Sequence, residues 1–248
     1  MDNPFEAIGI DHVSPSNLNT WTSSPALWAI RYGMNLKSEG TDKMALGKAV
    51  EAGLQIVLMN GDLDEAFAHA YAAFNLERSM DGGDKERALV EPMLTQAIEA
   101  MVSMEVGSPQ LLQRRLEMML PDVPVPCMGF SDFEWDGMIL ELKTTQRLPS
   151  EPTPSHMRQI AFYHKASGGK EVRILYVSPK AYKLYTPSLD DLDEAFEELC
   201  YLGRTLTKSL SVAGSPAELL KMFPADFSNF MWDAESKKLA RKMIRETA

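Results

Sequence analysis

The 248-residue chain is poor in several things, and each shortage narrows what it can be. It has two cysteines, Cys127 and Cys200. That is too few for a disulfide framework or a four-cysteine zinc or iron–sulfur site, so both read as small buried hydrophobes. No stretch reaches the roughly 18 uninterrupted apolar residues of a membrane span. The opening "MDNPFEAIGID" lacks the basic-then-apolar layout of a signal peptide. No membrane association and a cytoplasmic location are therefore expected. Basic charge is also scarce: the formal net charge is −10, which argues against a chain that coats a polyanion by bulk electrostatics. There is no repeat, low-complexity tract or Gly/Ser linker, so residues 1–248 read as a single domain.

The scarcity of positive charge is uneven. From 137 to 186, eight basic residues stand against three acidic ones, while "DDLDEAFEEL" at 190–199 concentrates the opposite sign on what reads as a solvated helix face.

Hydrophobic period divides the chain into a mainly helical part (1–105), a sheet core (106–190) and C-terminal helices (191–248). "SPSNLNTWTSSPALWAIRYG" opens on a capping Ser and a first-turn Pro, and Pro25 interrupts it or starts a second helix. Trp21, Trp28 and Tyr32 in this stretch suit core packing. "DKMALGKAVEAGLQIVLM" predicts a helix of about four turns, with further helices near 62–76 and 85–105. The period then changes. "LLQRRLEMML", "CMGFSDFEW" and "GMILELKTT" read as strands, the last two joined by a turn at Asp136-Gly137. "SHMRQIAFYHKAS" returns to helix and ends at Gly168-Gly169. "EVRILYVS" and "AYKLYTP" form another strand pair, followed by an acidic helix near 189–210 and a basic one near 235–246. The fold class is α/β: a mixed central sheet flanked by helices, plus the N-terminal helical part.

The chemistry concentrates in "FSDFEWDGMILELKTTQ" at 130–146. Alternation along a strand puts Glu141 and Lys143 on one face, with Leu140 and Leu142 on the other. Asp132 lies on the preceding strand across the turn. Carboxylates on paired strands can converge on one cation, and hard oxygen ligands suit Mg²⁺ or Mn²⁺. A cation would also relieve two buried like charges; without it, one carboxylate should hold a proton. Lys143 could orient a water or help deprotonate it. The blander reading is that acid-x-Lys marks the outer face of a half-exposed strand.

The residues around this stretch resemble the PD-(D/E)XK nuclease superfamily, in its RecB-type branch of helicase-linked nuclease domains and phage recombination exonucleases. "VSPSNLNTWTSSPALWAIRYG" is similar to that branch's N-terminal segment. "ALGKAVEAG" matches its first motif through Gly47 and Glu51, "GFSDFE" the second through Asp132, "ELK" the third through Glu141 and Lys143, and "QIAFYHKA" the Q-x-x-x-Y helix through Gln159 and Tyr163. Each motif alone is common; all of them in order are not.

The resemblance implies a restriction-endonuclease-like core and metal-dependent hydrolysis of DNA by an exonuclease, engaged at an end or a single strand, in recombination or repair. Asp132, Glu141, Lys143, Gln159 and Tyr163 would be the catalytic set. Glu51, Asp132, Glu141 and the Leu142 main-chain carbonyl would hold one or two Mg²⁺ or Mn²⁺ ions. Ser16, Arg31, Lys48, Thr144, Arg147, Arg158 and Lys165 would be DNA contacts, and a single-strand annealing protein or a helicase would be the partner. Oligomers that encircle DNA occur among such relatives, but no interface pattern is legible here, so a homo-oligomer stays open. One departure matters: members with an iron–sulfur cluster carry a cysteine before the N-terminal proline and three near the C-terminus. This chain has Ser24 there and no cysteine near its end, so no cluster is expected, and Phe223, Phe227, Phe230 and Trp232 would clamp that region hydrophobically. Other readings are a structure-specific endonuclease on the same scaffold, a DNA-binding or docking module without catalysis, and a small-molecule hydrolase.

Overall fold

The computed structural model describes residues 3–36, 40–78 and 83–245. The chain gathers into two compact units, one made of Met1–Glu39, Leu116–Gly129 and Asp193–Ala248, the other of Gly40–Arg115 and Phe130–Leu192.

The second unit carries the layers that matter for chemistry. Thr41 caps α3 (Asp42–Asn60) by accepting from Met44 N–H, and Asp62 does the same for α4 (Leu63–Glu77) through Glu65 N–H. The helix expected over 85–105 is in fact two, α5 (Asp84–Arg87) and α6 (Val90–Met104), separated by a turn at Ala88 and Leu89. Gly53 lies where three helices meet: a Cβ there would sit 2.5 Å from Leu94 Cδ2 and 3.0 Å from Ala66 O.

The sheet has the order β1–β2–β3–β4–β5, with β1 Leu111–Met119, β2 Pro126–Glu134, β3 Met138–Thr144, β4 Glu171–Val177 and β5 Tyr182–Tyr185. β3 runs antiparallel to β2 and parallel to β4, and β4 antiparallel to β5, so the sheet is mixed. The parallel step is bridged by α7 (Pro154–Ala166), which stops at Gly168 and Gly169, both at positive φ. Alternation divides the faces as expected. Leu140, Leu142, Leu175 and Val177 join Ala49, Val50 and Leu54 of α3 and Met93, Leu94 and Ala97 of α6 in one apolar core. α7 packs against β3 and β4, and its His156 meets Tyr176 of β4. The α/β architecture with flanking helices is as the sequence implies.

The first unit is held by aromatic packing. Ser14 and Ser24 cap α1 (Pro15–Ser23) and α2 (Pro25–Trp28), so Pro25 does start a second helix, which continues as a π-helical turn over Ala29–Gly33. Trp21 and Trp28 are buried, edge to face at 6.1 Å, and Trp21 also meets Phe223 at 5.3 Å. α8 (Leu189–Ala213) enters this unit from the other, followed by α9 (Pro216–Met222), which the sequence pattern did not reveal, and α10 (Ala234–Arg245). Residue 246 of the expected last helix lies outside the described residues. Phe227 packs on Trp232 at 5.0 Å, but Phe230 is 95% exposed and takes no part in the expected hydrophobic clamp. Among the described residues no helix is long and apolar enough to cross a membrane.

Candidate active site

The site begins where the β2–β3 ladder changes partner. The two strands pair at Phe133–Leu140 and Glu134–Ile139, a register that sets Asp132 opposite Glu141. One step further on, the N–H of Leu142 meets Oδ2 of Asp132 at 2.8 Å. The carboxylate thus takes a backbone donor that a strand neighbour would otherwise satisfy, which fixes Asp132 beside β3.

Glu141 is 3% exposed. Its Oε1 accepts from Lys143 Nζ at 2.6 Å and from Gln159 Nε2 at 2.8 Å, while its Oε2 is buried with no partner. Gln159 Oε1 accepts from Lys143 Nζ at 3.0 Å, and its Nε2 also donates to Tyr163 Oη at 2.8 Å. Tyr163 in turn donates to the carbonyl of Phe130 at 2.6 Å. The four-residue spacing of Gln159 and Tyr163 on α7 is what lines them up. This chain leaves the amide of Gln159 one orientation: oxygen towards Lys143, nitrogen towards Glu141.

Glu51 enters from α3. It accepts from Gln55 Nε2, one turn along the same helix, at 2.9 Å, and in a short contact from Gln113 Nε2 of β1. Gln113 has φ 50° in mid-strand, a strained conformation for a side chain-bearing residue. Neither amide was picked out from the sequence. Gln55 was findable as the i+4 neighbour of Glu51; Gln113 carried no signal.

The electrostatics tie the three acids together. Burial raises Asp132 well above the usual carboxylate range, and Glu141 and Glu51 raise it further; Lys143 and the Leu142 N–H only partly offset this. Glu51 is raised by burial and by Glu141, against the opposing pull of Gln113, Lys143 and Gln55. The sequence leads one to expect that one of the two strand carboxylates holds a proton without metal, and Asp132 is raised in that direction. Lys143 departs from expectation: burial alone would lower it, but Glu141 and Asp132 outweigh that and raise it. With Glu141 and Asp132 beside it, Lys143 favours its ammonium form. His156, bonded to Tyr176 Oη at 2.6 Å, is pushed down to about 4 by burial and by Lys143. His164 is a structural residue bonded to the Lys170 carbonyl at 2.7 Å.

The chemistry of the donor set fits a hard divalent cation: three carboxylates, two of them held above their usual range by burial and by the nearby Glu141, and a buried Glu141 oxygen with nothing to bind. Their present aim is looser than the expected common shell. Among the described residues no three acidic, histidine or cysteine side chains are gathered tightly enough to hold a metal ion, with Glu51 turned onto its two amides and Asp132 onto the backbone.

The remaining candidate residues are dispersed. Thr144 follows Lys143 on β3, and Arg147 lies exposed just beyond. Arg158 and Lys165 are half-buried on α7. Lys48 of α3 is ion-paired with Glu77 at 2.7 Å. Ser16 and Arg31 belong to the other unit. Ser16 is exposed on α1, whereas the Arg31 guanidinium bonds the Met231 carbonyl and Asp233.

No family model and no curated protein matches the chain. Among solved structures, one from Eubacterium rectale described as a candidate exonuclease shares the fold at 10% identity, with 92% of this chain and 88% of that one covered and a TM-score of 0.61. LHK-Exo, solved in complex with dAMP, matches at 10% identity over 80% of this chain and 97% of its own, with a TM-score of 0.35, too distant to bear on the site. The Eubacterium rectale likeness establishes the fold.

Proposed function

We propose that this chain is a divalent-metal-dependent nuclease of the PD-(D/E)XK type, hydrolysing phosphodiester bonds of DNA from an end or in a single strand, with residues 1–248 acting as one nuclease domain. The observation that carries the reading is the charge imbalance around β3: Glu51, Asp132 and Glu141 share one electrostatic neighbourhood with a single ammonium, Lys143. The exonuclease description of the Eubacterium rectale protein that shares the fold adds support.

Glu51, Asp132, Glu141 and the Leu142 carbonyl would hold Mg²⁺ or Mn²⁺. A divalent cation there supplies Lewis-acid chemistry, drawing charge off phosphate oxygens and making a water easier to deprotonate. The chain's own residues do the rest. Lys143 has three N–H donors and uses two, on Glu141 and Gln159. The third can hold a phosphate oxygen as negative charge develops on it. Gln159, anchored through Tyr163 to the Phe130 carbonyl, keeps the ammonium from swinging away. In the reaction a water oxygen bonds to phosphorus and gives up a proton to solvent, the bond to the leaving sugar oxygen breaks, and that oxygen takes up a proton from solvent, so the net change is the addition of one water. Thr144 ends β3, Arg147 follows it, Arg158 and Lys165 lie on α7, and these are the proposed backbone contacts closest in sequence to this machinery; Ser16, Arg31 and Lys48 complete the proposed set. A role in recombination or repair, beside an annealing protein or helicase, rests on the sequence resemblance.

The test is incubation with end-labelled linear and with circular DNA, with and without Mg²⁺ or Mn²⁺. Metal-dependent loss of label from linear DNA alone is the expected result, and cutting of circles would make the enzyme an endonuclease. Absence of any metal-dependent cleavage would overturn the proposal, as would full activity in both Glu141→Ala and Lys143→Ala.

A further inference from the structure

A cavity of about 290 Å³ lies in the same unit, lined by Lys43 and Leu46 of α3, Glu86 of α5, Leu89 and Met93, and Thr144, Thr145 and Gln146 at the end of β3. It shares both of its principal elements with the candidate active site. Leu46 precedes Glu51 by five residues, about 7.5 Å along a helix; Thr144 follows Glu141 by three, about 10 Å along a strand. Gly47 stands between cavity and site, and a Cβ there would lie 3.4 Å from Thr144 Oγ1.

We propose that this cavity receives a single unstacked nucleobase of the strand being cut, next to the scissile phosphate. The inference rests on the nuclease reading and adds to it a subsite that grips a base. Its chemistry favours a base over a phosphate. One lysine and one glutamate leave the lining without surplus charge, so an anion gains little there. Leu89 is half-buried at the rim, and Leu46 and Met93, 4% and 1% exposed, form the apolar floor beneath it, where a thioether packs well against an aromatic ring. Thr144 and Gln146 offer a hydroxyl and an amide suited to the hydrogen-bonding edge of a base. Among the described residues no hydrogen bond ties down the side chain of Thr144 or Gln146. The volume lies at the small end of ligand pockets, which run from about 300 Å³ upward, enough for one base and not for two. The Gln146 amide and the Thr144 hydroxyl can each donate or accept, whereas Thr145 Oγ1 already donates to the Arg147 carbonyl at 2.8 Å and accepts from its N–H, so the subsite discriminates weakly among bases. Its work is to hold one base out of the stack, which otherwise resists unstacking.

The direct test uses the native chain carrying ¹³C-methyl methionine, with the Met93 signal assigned from Met93→Leu. Thymidine 5′-monophosphate should move the Met93 methyl signal in a saturable way, and deoxyribose 5-phosphate, which lacks the base, should leave it in place. No movement with the nucleotide, or equal movement with the sugar phosphate, would overturn the proposal. Cleavage gives a second readout. Leu89→Trp, which fills the cavity from its half-buried rim, should raise KM on intact DNA about tenfold, the scale of one lost base contact. It should also abolish the native chain's preference for intact over abasic DNA at that nucleotide. A native chain that cuts both equally would overturn the proposal. The two readings fail separately: cleavage that needs Glu141 with an unmoved Met93 removes the base subsite alone, and a base-specific Met93 shift in a chain that cuts nothing removes the nuclease alone.

Discussion

Two buried carboxylates on the β2–β3 hairpin meet opposite fates. Glu134 is 1% exposed and Glu141 3% exposed, and each leaves one oxygen without a partner. Burial and an orphaned oxygen therefore do not tell them apart. Charge does. Glu134 is met by two cations, Arg114 and Lys170, the latter at 2.7 Å and also bonded to the Trp135 carbonyl. Glu141 shares a single lysine with Asp132 and Glu51, both of which are held above their usual range. The first cluster has as much positive charge as it needs and reads as structure. The second lacks positive charge and reads as a place for a cation.

Substitutions at the two clusters should pull in different directions. The largest effect is expected on cleavage: Glu141→Ala or Lys143→Ala should lower metal-dependent activity by about 10³-fold or more, equivalent to about 4 kcal/mol of barrier. Initial rates at saturating DNA, with folding checked by circular dichroism, measure this. Next comes the structural cluster. Glu134→Ala leaves two cations facing a buried gap and should cost about 2–4 kcal/mol in denaturant unfolding, towards the lower end because Arg114 and Lys170 reach solvent.

Asp132→Asn should do the reverse in metal-free buffer. It removes a charge that the folded state accommodates poorly, so the melting temperature at neutral pH should rise by about 3 °C or more. The pH dependence sharpens this. The folded chain holds the Asp132 proton more tightly than the unfolded chain does, so the associated stability is fully present below about pH 4 and is lost as pH rises through the folded value. Metal-free native protein should therefore lose more melting temperature between mildly acidic and neutral pH than Asp132→Asn does. The smallest effect is expected from Gln113→Ala. It releases Glu51 from one amide but keeps the Cβ that disfavours positive φ, so stability should change by under about 1 kcal/mol while metal affinity shifts measurably by calorimetry.

How much of this was legible in the sequence follows from what each signal depends on. The five strands, the hairpin turn and the larger helices are written in period and punctuation, as in the alternation of "MILELK" and in Ser14-Pro15 and Ser24-Pro25. Glu141 with Lys143, and Gln159 with Tyr163, are spacing statements, and strand and helix geometry carried them through. Two features were not legible, and a third was legible but overlooked: the break at Ala88 and Leu89 is marked by Pro92, which sits in the first turn of α6 and cannot bond the Ala88 carbonyl four residues back. The left-handed Gln113 is a backbone state that nothing in "LLQRRLEMM" announces. The protonation of Lys143 depends on how many carboxylates surround it in three dimensions, and the opposing pulls of burial and of Glu141 with Asp132 can be weighed only once those groups are placed.

The central claim is that the carboxylates around β3 lack a positive charge that a divalent cation supplies. Isothermal calorimetry of Mn²⁺ into the native chain, Asp132→Asn and Glu141→Gln tests it without any substrate. Saturable binding to the native chain, lost or strongly weakened in both variants, is the expected result. No saturable binding to the native chain, or binding that survives both substitutions unchanged, would contradict it.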